Sequence, residues 1–244
     1  MVKKIAPFVL VLFFNLWIWK IFSFSFIVGI VVLASTIFLW LSVSLKKGVY
    51  FGISIVLFIL LLSLDWKTSS KNSLTFLNDN EKILLEERLR AYPPVGIKIG
   101  SKMLYIPAGN WLEQRKETRS FYKLGANLSE IIDPNLYFFA NHPRERVGAV
   151  EYEKFPFILM PFFILGLLSI NKKNAKVFLL STTPFVLNSI IGNSNPMGPF
   201  ALFPLIVVTT SLGLSPVFEK KIFYIPGLFL FFLIFIQTIA YATY

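Results

Sequence analysis

Apolar residues along the chain fall into seven runs, and a polar segment separates the first three runs from the last four. The runs cover residues 5–19, 26–45, 50–64, 157–170, 177–191, 200–214 and 223–241. Each is long and apolar enough for a helix whose natural solvent is lipid. The pattern predicts an all-α polytopic membrane protein with about seven transmembrane helices.

The first two runs are separated by Lys20 and the Phe22-Ser23-Phe24-Ser25 stretch, and we predict a tight hairpin near Lys20. A basic start followed by an apolar run has the pattern of a signal peptide, but no small-x-small cleavage site follows, so we predict an uncleaved first span. The third run closes at Asp65-Trp66. We interpret Asp65 as a span terminator and Trp66 as an interfacial side chain.

Several of the predicted spans are short. A 15-residue helix reaches only about 22 Å, which is less than the hydrocarbon thickness. Pro184 and Pro204 are expected to kink the fifth and sixth spans. A re-entrant pair formed by residues 177–214 is therefore an alternative to two full crossings.

The polar segment, residues 66–155, has a different character. It holds 14 Lys/Arg and 11 Asp/Glu residues, a nearly balanced set that is typical of a solvated folded domain. We therefore divide the chain into an N-terminal membrane region (1–65), a small α+β domain (66–155) and a C-terminal membrane region (156–244). Within the domain we predict a helix capped by Asn78 and stopped by Pro93-Pro94, a β-hairpin over 95–106 that turns at Gly100-Ser101, a helix over 111–124 capped by Asn110 and ended by Gly125, and a helical turn over 128–132.

The formal net charge of +11 is concentrated in short segments beside the apolar runs, where basic residues determine membrane topology. It therefore does not indicate nucleic-acid binding. Nine lysines flank the apolar runs: Lys3, Lys4, Lys46, Lys47, Lys172, Lys173, Lys176, Lys220 and Lys221. With the N-terminus in the cytoplasm, all nine lie on the cytoplasmic side, as the positive-inside rule requires. This orientation predicts a multi-pass protein of the cell membrane with residues 66–155 extracytoplasmic and the C-terminus outside.

Composition excludes several kinds of chemistry. The chain has no cysteine and a single histidine, so disulfides, thiolate metal sites and clustered-histidine metal sites are excluded. We predict no metal and no cofactor. No Asp, Glu, Lys, Arg or His lies within the last four predicted spans, which makes a proton-coupled transporter an unfavoured interpretation.

The densest polar motif lies about ten residues before the fourth span, near the predicted outer leaflet. It reads Asn141-His142-Pro143-Arg144-Glu145-Arg146. Arg144 and Arg146, with Asn141, are candidate ligands for a phosphate or a lipid headgroup, because a guanidinium matches phosphate oxygens bidentately. His142 is a candidate general acid or base, with Glu145 or Asp133 as the orienting carboxylate. The structural interpretation is that juxtamembrane arginines reach to headgroups and that His-Pro forms an ordinary turn.

Two further polar segments have structural interpretations that we prefer. Charges of alternating sign over 113–119, beginning at Glu113, are typical of a solvated helix face. The uncharged, turn-rich loop 192–199 faces the same side as His142 and is a candidate wall of an outer pocket, although an ordinary turn is favoured. Asn188, inside the fifth run, is expected to lock helices together.

The function predicted from these features is that of a non-catalytic membrane subunit or scaffold, whose extracytoplasmic domain binds a partner or an envelope component. Its partners are then the lipid bilayer and a membrane protein. The alternative is an enzyme that acts on a lipid-linked phosphate substrate at the outer leaflet, in the manner of a glycosyltransferase. Against that alternative, the first outward loop has no carboxylate.

Overall fold

The computed structural model describes residues 2–45, 48–69, 74, 79–139, 152–170, 175–191, 195–219 and 224–242. This part of the chain is mostly helical and contains a single two-stranded antiparallel sheet. The elements are α1 (Val2–Phe13), α2 (Leu16–Phe24), α3 (Phe26–Leu45), α4 (Gly48–Thr68), α5 (Asp79–Ala91), β1 (Val95–Ile99), β2 (Lys102–Ile106), α6 (Ala108–Glu113), α7 (Lys116–Ile132), α8 (Asn135–Phe138), α9 (Met160–Leu168), α10 (Ala175–Ser181), α11 (Thr183–Ile191), α12 (Phe203–Glu219) and α13 (Tyr224–Ala242).

Three helices of the described residues are long and apolar enough to cross a membrane: Phe26–Leu45, Gly48–Thr68 and Phe200–Glu219. The helices α1 and α2 pass the same test only as a pair, which is bent by 55°. Three shorter apolar helices accompany them, at Phe157–Leu168, Ala175–Ile191 and Ile225–Ala240. These helices are compatible with a multi-pass membrane protein, while the number of seven crossings stays a prediction.

Helix α12 forms the centre of the bundle and packs against α1, α3 and α9. Its residues from Phe203 to Ser211 are all buried. Two glycines allow α9 to approach it closely: a Cβ at Gly166 would lie 2.7 Å from the carbonyl carbon of Thr209, and one at Gly213 would lie 2.9 Å from that of Phe162. Small residues at a contact between two helices let the helix backbones approach closely in membrane proteins.

The turn before Phe26 is confirmed but lies later than the predicted position near Lys20, because α2 continues through Lys20 to Phe24 and the chain turns at Ser25. A further interruption lies earlier, at Asn15. The amide of Asn15 donates to the carbonyl oxygens of Val11 and Leu12, and its oxygen accepts from the backbone N–H of Ile18. One side chain therefore satisfies backbone groups on both sides of the break, as burial in an apolar bundle requires.

The two prolines predicted to kink helices act differently. Pro184 is the second residue of α11, and a turn at Thr182 interrupts the helix just before it, between α10 and α11. Pro204 is the second residue of α12, where a 3-10 turn over Phe200–Leu202 passes into the α-helix. It therefore begins a helix, at a position where its missing N–H costs nothing.

The β-hairpin of the polar segment is confirmed. Val95 pairs with Ile106 and Ile99 with Lys102, and Gly100 adopts the positive φ of 63° that the turn requires. The helix before it is also confirmed, over Asp79–Ala91, whereas the predicted cap Asn78 lies outside the described residues.

The predicted helix over 111–124 is wrong in both of its bounds. Helix α6 ends at Glu113, and α7 runs from Lys116 through Gly125 to Ile132, so that the predicted turn over 128–132 belongs to it. Contact between α7 and α11 maintains the longer helix: the Asn127 amide donates to the carbonyl oxygen of Ser189 at 3.0 Å. Tertiary contacts of this kind override the weak helix-stopping tendency of an internal glycine.

Candidate functional site

The Asp65 side chain lies near the end of α4 and is fully buried. Two side-chain amides donate to its carboxylate: Asn188 to Oδ2 at 3.3 Å and Asn195 to Oδ1 at 3.0 Å. Asn188 belongs to α11, and Asn195 belongs to the segment that leads into α12. One carboxylate therefore joins three parts of the bundle. We call Asp65, Asn188 and Asn195, with Thr68 and Ser69, the Asp65 cluster.

Further hydrogen bonds fix the orientation of both amides. The Asn195 nitrogen also donates to Thr68 Oγ1 at 2.8 Å, and its oxygen accepts from the backbone N–H of Met197 at 3.1 Å. The Asn188 nitrogen also donates to the carbonyl oxygen of Pro184 at 2.9 Å. Because each amide has its donor side committed towards Asp65, the cluster is a rigid polar junction inside an apolar surrounding.

A buried tryptophan connects the break between α1 and α2 to the same region. Trp17 Nε1 donates to the carbonyl oxygen of Met197 at 2.6 Å. Its ring packs edge-on against Phe155 and Phe203, with centroids 5.8 and 5.5 Å apart, and it also contacts Tyr137. An indole is well suited to this place, since it combines a large apolar surface with one donor.

The two flanks of residues 140–151 meet beside this tryptophan. The backbone N–H of Phe155 donates to the carbonyl oxygen of Tyr137 at 2.8 Å, and Lys154 Nζ donates to that of Leu136 at 2.7 Å. Burial raises the pKa of the Tyr137 hydroxyl well above its usual range, so it stays protonated and donates to the carbonyl oxygen of Ile131. Lys20 Nζ lies 3.6 Å from the ring centroid of Tyr152 on the second flank.

Most of the predicted site residues lie outside the described residues. These are Asn141, His142, Arg144, Glu145 and Arg146, and their roles as phosphate ligands or acid–base groups stay predictions. Asp133 is described. Its Oδ1 accepts from the backbone N–H of Asn135 at 2.9 Å, at the corner where α7 ends and α8 begins. This contact gives Asp133 a turn-capping role.

Glu113 departs from the predicted solvated face. Its side chain is only 4% exposed and lies 3.7 Å from the guanidinium of Arg88. The neighbouring Arg115, Lys116 and Glu117 are exposed, as predicted. Glu113 therefore links α6 to α5, and residues 115–117 face solvent. Arg119 is half-buried, and its Nε donates to the carbonyl oxygen of Glu113 at 3.4 Å.

Each main member of the Asp65 cluster has a separate interpretation in the sequence, and none of these predicts that the members meet. Asp65 was interpreted as a span terminator, Asn188 as a helix-locking amide and Asn195 as part of a turn-rich loop. Of that loop, Asn195 to Pro199 are described, whereas residues 192–194 are not. The available signal was that Asp65 and the loop were both predicted to lie on the outer side.

The chemistry open to this arrangement is limited. Both carboxylate oxygens of Asp65 already accept hydrogen bonds from neutral amides, and the side chain has no exposed surface. Within the described ranges, no group of three or more His, Asp or Glu side chains could hold a metal ion. The geometry favours a structural junction over proton transfer to a substrate.

Comparisons with protein-family models, with curated proteins and with solved structures gave no match to this chain.

Proposed function

We propose that the protein is a multi-pass membrane protein that acts as a non-catalytic subunit or scaffold, and that its β-hairpin binds another protein. Large apolar side chains on the outside of the bundle support the membrane assignment. Side chains that are at least 66% exposed include Phe26, Ile27, Val49, Val56, Leu168, Leu179 and Ile225. Exposed apolar surface of this extent is costly in water and neutral in lipid.

The distribution of lysines supports an orientation with residues 66–155 outside and both the N-terminus and the lysine-rich connectors in the cytoplasm. The natural chain has no cysteine, so single-cysteine variants report accessibility without background. An impermeant maleimide is expected to label Ser101→Cys in intact cells, because Ser101 is exposed at the hairpin turn. Lys176→Cys is the matched cytoplasmic control and should react only after lysis. The reverse pattern would invert the topology.

The observation that carries the proposed function is the uncovered apolar face of the hairpin. The register puts Val95, Ile97 and Ile99 of β1 on the same face as Leu104 and Ile106 of β2, with Lys102 at its turn end. Every residue of both strands is exposed except Ile106, which is half-buried. An isolated two-stranded hairpin is at best marginally stable in water, so this face is expected to pack against another molecule.

A protein suits this face better than lipid does. Both strands of the described sheet are edge strands, since the sheet contains only β1 and β2. Hydrocarbon cannot hydrogen-bond the free N–H and C=O groups of open edges, whereas a partner chain can. Residues 95–106 carry Lys98 and Lys102 and no acidic residue. This charge favours a partner with acidic side chains beside an apolar surface, and it disfavours a symmetric contact of two hairpins.

Substituting the hairpin face should separate partner binding from folding. Because Ile97 and Leu104 pair across the strands and are exposed, Ile97→Asp or Leu104→Asp should leave the amount of protein in the membrane unchanged. Burying a charge in the contact should lower the affinity for the partner by at least tenfold, which corresponds to about 1.4 kcal/mol. The measurement is the stoichiometry of proteins that co-purify from the native membrane.

Met103→Asp is the matched control, since Met103 pairs with Lys98 on the opposite face of the same hairpin. It should retain the partner. Equal retention of the partner by Ile97→Asp and wild type would contradict the docking role of this face. Purification of the wild type without any stoichiometric protein would contradict the scaffold function itself.

A further inference from the structure

Helix α7 has an apolar side and a basic side. Phe121, Gly125 and Ile132 lie on one stripe, because they are spaced by four and seven residues on a helix of 3.6 residues per turn. Phe121 is 74% and Ile132 is 55% exposed. Arg119 and Lys123 are each two residues from Phe121 and therefore lie on the opposite side of the helix. The stripe leaves apolar surface uncovered on an amphipathic helix.

Among the residues that the structure describes, protein covers one edge of the apolar side. Ile131 is fully buried, and Asn127 beside it on the helix surface donates to the carbonyl oxygen of Ser189 in α11. Helix α11 itself leaves Val186 64% exposed, which is typical of a lipid-facing side chain. The partner that α7 packs against is thus an apolar helix with an uncovered side of its own.

The hydrogen-bond network gives the level at which α7 contacts the bundle. Ser189 follows Asn188, whose amide donates to Asp65, and Asp65 lies three residues before the end of α4 at Thr68. Trp66 at this level is 40% exposed. If α4 crosses the membrane, as the proposed function requires, α7 meets α11 where α4 leaves the hydrocarbon, in the zone that indoles favour.

We infer that α7 is an interfacial helix whose Phe121–Ile132 stripe inserts among lipid acyl chains, while its basic side, turned towards water, is attracted by the negative potential of anionic headgroups. A helix satisfies its own backbone, so lipid can cover it without leaving unpaired polar groups. Residues 115–123 contain four basic residues and one acidic residue, a net charge of +3 (4 − 1), and Glu130 near the end of α7 adds one negative charge. Apolar and basic flanks together are the features that bind an anionic membrane surface.

Single cysteines placed at Phe121 and at Ile132, and labelled with the fluorophore NBD, test this assignment in the full chain. The protein is reconstituted into vesicles of phosphatidylcholine with about one third phosphatidylglycerol, a composition that supplies a negative surface potential. Both labels should be quenched by doxyl groups on lipid chains and shielded from aqueous iodide. Lys116→Cys, in the exposed first turn of α7, is the matched control and should show the reverse.

The other outcomes are distinct. Iodide quenching at residues 121 and 132 as strong as at 116 would overturn the assignment in favour of water. Shielding from both quenchers would overturn it in favour of a protein cover. Equal lipid quenching in pure phosphatidylcholine would contradict the attraction to anionic headgroups.

A label at Val56→Cys, in the middle of α4, keeps this test separate from the membrane assignment. Val56 is 66% exposed and should be quenched by doxyl lipid if α4 spans the bilayer. Its failure would contradict the proposed function, whereas failure at 121 and 132 alone would contradict only the role of α7.

Discussion

Substituting alanine for Gly166 or Gly213 is expected to separate α9 from α12 and to lower the melting temperature by about 2–12 °C. A Cβ at Gly166 would lie 2.7 Å from the carbonyl carbon of Thr209, and one at Gly213 would lie 2.7 Å from the backbone nitrogen of Gly166. Backbone atoms cannot rotate away as a flexible side chain can. Overpacking costs about 1–3 kcal/mol, or more when backbones must move, and each kcal/mol lowers the melting temperature by about 2–4 °C at this chain length.

The measurement is thermal unfolding in detergent, followed by size-exclusion chromatography with fluorescence detection. Gly52→Ala is the matched control, because Gly52 lies within α4 and a Cβ there would meet nothing within 4 Å. It should be neutral or slightly stabilising, since alanine favours a helix over glycine by about 1 kcal/mol. If Gly213→Ala melts with the wild type, α9 and α12 are not packed backbone to backbone.

Hydrophobic patterning predicted the helices well where a single physical requirement sets their bounds. Residues 26–45 were predicted as one span and form α3, Phe26–Leu45. The hairpin over 95–106 was found because alternating apolar residues and a Gly-Ser turn each favour the same structure. Local propensity and local pattern agree at these places, so one sequence is sufficient.

The break between α1 and α2 was missed because it depends on one side chain. Residues on both sides of Asn15 are apolar, so the interruption was predicted near the charged Lys20 instead. What interrupts the helix is the capacity of Asn15 to bond Val11 and Ile18 at once, while Trp17 is held by Met197. A contact across 180 positions cannot be recognised from the periodicity of a short window.

The candidate site was missed for the same reason of distance along the chain. Asp65 is separated from Asn188 by 123 positions and from Asn195 by 130. The sequence indicated a common side of the membrane for Asp65 and the loop of Asn195. It did not indicate that the two side chains lie within hydrogen-bond distance of each other. A lone carboxylate at the end of a span has the same pattern whether it faces water or two amides.

Substituting alanine for Asp65 should destabilise the bundle by about 2–4 kcal/mol. Hydrogen bonds between helices in membrane proteins contribute about 0.6–1.7 kcal/mol each, and a buried amide left without its acceptor costs a further 1–3 kcal/mol. Asp65→Asn should cost less, because it keeps one acceptor but turns an NH₂ group towards Asn188 or Asn195. Thermal unfolding in detergent measures both, with Asp79→Ala as the exposed control that should leave the melting temperature unchanged.

A double-mutant cycle determines whether the cluster acts as one junction. Asn195→Ala should destabilise the wild type but cost about 1–2 kcal/mol less in the Asp65→Ala background, since the acceptor for its amide is already gone. Additive effects would contradict the junction. Asp65→Asn also separates the two functional interpretations, because a structural carboxylate affects abundance and phenotype together. Loss of phenotype in a variant that melts with the wild type would instead favour a chemical role for Asp65, and with it the enzyme over the scaffold.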